Sequence, residues 1–82
     1  MGLAILKNVS NVDVTYTLEW ESGLSENDVI KPNEKVEINC GDQKAIICHR
    51  SDGGIYGVCP IDSRTLESDD EYFLLENGEY QN

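Results

Sequence analysis

"VDVTYTLEW" spans residues 12–20, where Val12, Val14, Tyr16, Leu18 and Trp20 alternate with Asp13, Thr15, Thr17 and Glu19 without a break. A period of two is that of side chains on a pleated strand, not the 3.6 of a helix. Val, Tyr and Thr also favour extended backbone. The stretch predicts a strand with one apolar and one wet face, which belongs in an antiparallel sheet covered on one side. Its stripe is expected to face the interior between two sheets, with Asp13, Thr15, Thr17 and Glu19 outside.

Around this strand the same kind of element recurs. Residues 2–7 (GLAILK) read as a first strand, with Leu3, Ile5 and Leu6 supplying apolar contacts, and the turn "NVSN" follows. Residues 24–30 have no clear pattern; "SEND" resembles a helix start but leaves room only for a short turn. Lys31-Pro32-Asn33-Glu34 is a turn with Pro fixing φ at its second position. Residues 35–50 (KVEINCGDQKAIICHR) read as a hairpin in which Val36, Ile38 and Cys40 alternate with Lys35, Glu37 and Asn39. A two-residue turn at Asp42-Gln43 would turn Ala45 and Ile47 inward, and a longer loop would turn Ile46 and Cys48 inward instead. Since residues 45–48 are apolar on both faces, the register stays open.

"SDGG" at residues 51–54 is a turn, "IYGVC" at 55–59 a short strand interrupted by Gly57, and residues 61–70 a surface loop. Residues 71–80 (EYFLLENGEY) form a last strand pair, with Asn77-Gly78 as a type I′ turn signal. The chain of 82 residues thus reads as a single β domain over residues 1–82. Its fold class is all-β: a small antiparallel β-sandwich or barrel of about six to seven short strands.

Composition narrows the function. Sixteen acids against six bases give a net charge of −10, which repels nucleic acid phosphate and anionic membrane surfaces. No apolar run reaches the length of a membrane span, and "MGLAILKN" lacks the features of a secretory signal. Gly2 is followed by Leu6 where a myristoylation signal needs Ser or Thr. The expected location is cytoplasmic, in the host cytoplasm if a virus encodes the protein. The odd count of Cys40, Cys48 and Cys59 then argues for reduced thiols. One disulfide with a thiol left over fits an extracellular source, where the sequon Asn8-Val9-Ser10 would also matter. The three cysteines and His49 lack the paired short spacings of structural zinc.

No catalytic constellation emerges. His49 follows Cys48, and adjacent side chains on a strand point to opposite faces, so they cannot act as base and nucleophile. There is no nucleophile elbow, phosphate-cradling glycine loop or metal-binding histidine pair. Asp52 and the run from Asp69 to Glu71 could offer oxygens to calcium, but without the spacing of a calcium loop. No enzyme activity, cofactor or metal site is therefore expected.

The acids themselves are the remaining signal. Asp62, Glu67, Asp69, Asp70, Glu71, Glu76 and Glu79 face only Arg64 in the last quarter of the chain, and a single-sign field of this kind attracts basic surfaces. In size, charge and lack of catalytic residues the chain resembles the small proteins that viruses and mobile elements encode against host defences, including anti-CRISPR proteins. That resemblance implies an inhibitor whose acidic face docks on a basic, nucleic-acid-binding protein. The alternative expectation is a structural or assembly module that self-associates as a homodimer through Ile46, Cys48, Phe73 and Leu75 on the two-sided strands.

Overall fold

The computed structural model describes residues 2–51, 63–76 and 78–81. Among these residues lie eight strands and no helix: β1 (Leu3–Asn8), β2 (Val14–Trp20), β3 (Ser25–Ile30), β4 (Lys35–Asn39), β5 (Ala45–Arg50), β6 (Arg64–Leu66), β7 (Glu71–Leu74) and β8 (Tyr80–Gln81). They build two four-stranded sheets, ordered β4-β1-β7-β8 and β3-β2-β5-β6. The architecture is therefore the sandwich of the two expected forms. Every pairing is antiparallel except β1 with β7, which is parallel.

The opening stripe behaves as its period requires. Val14, Tyr16 and Leu18 are buried and meet Ala4, Leu6, Leu74 and Tyr80 of the other sheet in one core, with Trp20 packed at its margin. Val12 lies before β2 and is 40% exposed. Thr15 and Thr17 sit on the outer face yet are buried, because β2 is central and its neighbours shield it. Thr17 pairs with Asn27 of β3 on one side and Cys48 of β5 on the other, and its hydroxyl donates to Asn27 Oδ1 at 2.6 Å.

Two hairpins share one turn design. Trp20 N–H donates to Leu24 O and Gly23 N–H to Trp20 O, while Leu75 N–H donates to Glu79 O and Gly78 N–H to Leu75 O. Gly23 and Gly78 have φ of 100° and 86°, the left-handed position that closes a three-residue loop with a bulge. The last strand pair is thus present, but with Gly78 closing a three-residue loop instead of a two-residue turn. In the predicted turn at Lys31-Pro32, Glu34 N–H donates to Lys31 O and Asn33 takes φ 66°, which Asn tolerates better than most residues.

Several expectations are corrected. The hairpin of residues 35–50 does not form: β4 pairs with β1, and β5 pairs with β2 and β6. Residues 40–44 instead carry the chain from one sheet to the other, since a strand that is apolar on both faces gains more from a central place than from its sequence neighbour. Ala45 and Ile47 do face the core, and Ile46 does not. On β1 the inward residues are Ala4, Leu6 and Asn8 rather than Leu3 and Ile5. Residues 3–6 are apolar in both parities, so their own pattern does not choose a face. Residues 24–30 hold the strand β3, and Arg64–Leu66 in the expected surface loop is the strand β6, last in its sheet among the described residues. The expected turn and strand at 51–59 lie outside the described residues beyond Ser51. Reduced thiols were expected, but Cys48 is disulfide-bonded while Cys40 is a buried free thiol. Among the described residues no helix is long and apolar enough to cross a membrane.

Candidate functional site

Strand direction sorts the loops onto two ends. With β1 paired antiparallel to β4, and β2 antiparallel to both β3 and β5, loops 21–24, 40–44 and 67–70 gather beside Gly2. Main-chain bonds join them: Glu21 N–H to Lys44 O at 3.0 Å, Cys40 N–H to Gly2 O at 3.0 Å and Asp69 N–H to Leu3 O at 2.8 Å. Gly2 is essential to that closure, because a Cβ there would collide with the Cβ and Oγ of Ser68.

This arrangement concentrates charge. Glu19, Glu21, Glu26, Glu37, Asp42, Glu67, Asp69, Asp70 and Glu71 stand at this end or within the strand halves that lead to it, and Lys44 and Arg64 are the bases at the same levels among the described residues. Nine carboxylates against two cations leave a local surplus of seven negative charges. Lys7, Lys31, Lys35 and Arg50 lie in or toward the opposite half. The molecule is electrically polar along its strands, and no single stretch of sequence displays this.

Of the acids expected to form one face, Glu67, Asp69, Asp70 and Glu71 belong to this end and are exposed. Glu76 and Glu79 are exposed at the far hairpin, and Asp62 lies outside the described residues. Glu19, Glu21, Glu26 and Asp42 were missed, since each is isolated in sequence and joins the others only when the loops meet. The expected self-association set also divides. Ile46 is 44% exposed on the outer face of β5, Cys48 is buried, and Phe73 is half-buried on the other sheet with Leu75 just beyond β7.

Concavities surround the crossover of residues 40–44. One, of about 360 Å³, lies between the β2–β3 hairpin and the crossover, with Trp20, Leu24, Glu26 and Asp42 in its wall. Another, of about 420 Å³, is bounded by Glu19, Trp20, Glu21, Lys44 and Ile46. Trp20 thus borders both. Its indole N–H donates to Glu26 Oε2 at 2.6 Å, which fixes the ring and orients the carboxylate. Leu24 beside it is 68% exposed.

The buried polar groups elsewhere have structural work. Tyr80 hydroxyl donates to Ile47 O at 3.1 Å, joining the sheets, and the Arg64 guanidinium lies 4.2 Å from the Tyr80 ring centre. His49 Nε2 is 2.8 Å from Leu75 O, and its ring meets Tyr80 edge-on at 4.8 Å. His49 is inside the sandwich while Cys48 points away from it. Among the described residues no group of three His, Cys, Asp or Glu side chains is placed to hold a metal ion. No family model, curated protein or solved structure matches the chain.

Proposed function

We propose that this protein is a non-enzymatic binding module or inhibitor, and that its carboxylate-rich end docks on a basic, nucleic-acid-binding protein and occupies the surface meant for phosphate. The supporting observation is the polarity of the molecule, with a surplus of seven negative charges around loops 21–24, 40–44 and 67–70. Such a field accelerates encounter with a positive surface and orients the approach. A half-buried Trp20 and exposed Leu24 at this end add the aromatic and apolar anchor that binding surfaces use. The reading suits a virus- or mobile-element-encoded antagonist of a host defence nuclease. It places the protein in the host cytoplasm, where the Cys48 bridge persists only if its potential lies below that of the thiol pool.

Capture of partners from nuclease-treated host lysate, washed at low and high salt, tests the proposal. A stoichiometric basic protein should be retained at low salt and released at high salt. The variant Asp69→Asn/Asp70→Asn/Glu71→Gln should weaken its retention, while Glu76→Gln at the far end should not. Retention that is indifferent to salt and to both variants would remove the proposal.

A further inference from the structure

We infer that the cavity between the β2–β3 hairpin and the 40–44 crossover receives one arginine side chain from the basic partner. This rests on the binding function proposed above and names the contact at its centre. The volume of about 360 Å³ suits a single long side chain rather than a folded element. Its wall carries the carboxylates of Glu26 and Asp42, with no base. Lys44 borders the two neighbouring concavities around the crossover but not this one, so this cavity alone of the three is of one sign.

The apolar wall selects among cations. Trp20 is the aromatic residue most favourable to a cation over its face, and its N–H bond to Glu26 Oε2 leaves Oε1 of that carboxylate for a ligand. Leu24, exposed beyond what the core requires, offers contact to a methylene stem. A guanidinium is planar, weakly hydrated and able to stack on an indole while meeting a carboxylate through two N–H groups. An ammonium is a compact, strongly hydrated point charge and gains less from the same wall. Asn39, whose Oδ1 accepts from Gly41 N–H at 3.1 Å, and Gln43 add uncharged amides to the lining.

Trp20 is the single tryptophan of the chain, so its fluorescence reports on this cavity. An acetylated, amidated tri-arginine peptide titrated into the protein should change Trp20 emission saturably, and a tri-lysine peptide should bind several-fold more weakly. Glu26→Gln keeps an oxygen acceptor for the indole, and Asp42→Asn lies on an exposed loop, so both variants should fold, as thermal melting will verify. Each should weaken the arginine peptide by roughly threefold to tenfold, while Glu76→Gln at the far hairpin should leave the Trp20 response unchanged. Equal response to the lysine peptide, or undiminished binding in both cavity variants, would overturn the inference. If the captured partner still binds the Glu26→Gln/Asp42→Asn protein but not the Asp69→Asn/Asp70→Asn/Glu71→Gln protein, the cavity assignment fails and the binding function stands. Indifference to both sets removes both.

Discussion

Asn8 carries more of the fold than any polar residue of its size would suggest. It is fully buried; its side-chain amide donates to Val12 O at 2.7 Å and Ile30 O at 2.8 Å, and Oδ1 accepts from Ser10 N–H and Oγ. Its backbone is used as well, with N–H to Glu34 O and Asn33 N–H to Asn8 O. One side chain thereby ties the end of β1 to the start of β2 and the end of β3. With both amide hydrogens spent, the sequon nitrogen has no place for a glycan in this fold. Asn8→Ala would strand several buried groups, and urea denaturation should show a loss of about 2–4 kcal/mol. The buried acids act at the other extreme of pH. Burial first, then the carboxylates of Asp28 and Glu26, raise the Tyr16 phenol above its ordinary value. Burial raises Tyr72 despite the bond from Glu67 N–H, and burial likewise raises the Cys40 thiol. In each case folding favours the neutral form, so the contribution to stability is complete below the unfolded value and lost as pH climbs through the folded one. Denaturation across pH should therefore show stability falling above the ordinary thiol value of 9.0 and further above the phenol value of 10.0. Stability constant through that range would contradict the burial of these groups.

At the scale of elements, β3, which is the edge of its sheet among the described residues, shows how a sheet margin is guarded. Trp20 and Leu24 exchange the bond that sets the ladder, so Ser25, Asn27 and Val29 turn their backbone groups outward, away from β2. Val29 N–H is taken by Asp28 Oδ1 at 2.8 Å, and Glu26 and Asp28 put charge on the core-side face at the margin, opposite Leu18 and Tyr16. Inward-pointing charge of this kind discourages pairing with another edge. It also explains why residues 24–30 gave no strand pattern: the polar residues protect the edge, and only Ile30 is buried. Asp28→Val releases the Val29 N–H and leaves three consecutive β-branched residues. Sedimentation velocity should show concentration-dependent association of this variant beyond that of the parent protein; identical sedimentation would show that Asp28 is not the guard. Of the two glycine-closed hairpins, local chemistry marks the one at Gly78, though as a two-residue turn, and marks the one at Gly23 less, since residues 24–30 carry no strand pattern.

For the whole molecule, the Cys48 bridge supplements a core that a chain of 82 residues can only make modest. Among the described residues Cys48 is bridged and Cys40 is a free thiol. Thiol counting in denaturant should find one before reduction and three after it. Reduction should lower the unfolding free energy by about 2–4 kcal/mol, Cys48→Ser should reproduce that loss, and Cys40→Ser should leave the reduction effect in place. The sequence by itself determined the class of fold, because period-two alternation at Val14, Tyr16 and Leu18 is a local property that any partner sheet must satisfy. It also determined the sign of the charge, the turn that depends on Pro32, and the place but not the length of the turn at Gly78. Only the tertiary structure decided that β4 and β5 belong to different sheets and that β1 lies parallel to β7. It alone turned Ala4 inward rather than Ile5. Residues 3–6, 45–48 and 72–75 are apolar in both parities, so their place is set by competition among distant strands for buried surface, and the strict alternation of β4 chooses its face but not its neighbour. The gathering of Glu19, Glu21, Glu26 and Asp42 with Glu67, Asp69, Asp70 and Glu71 was decided in the same way, since residues far apart in the chain become neighbours only when antiparallel strands bring alternate loops to one end.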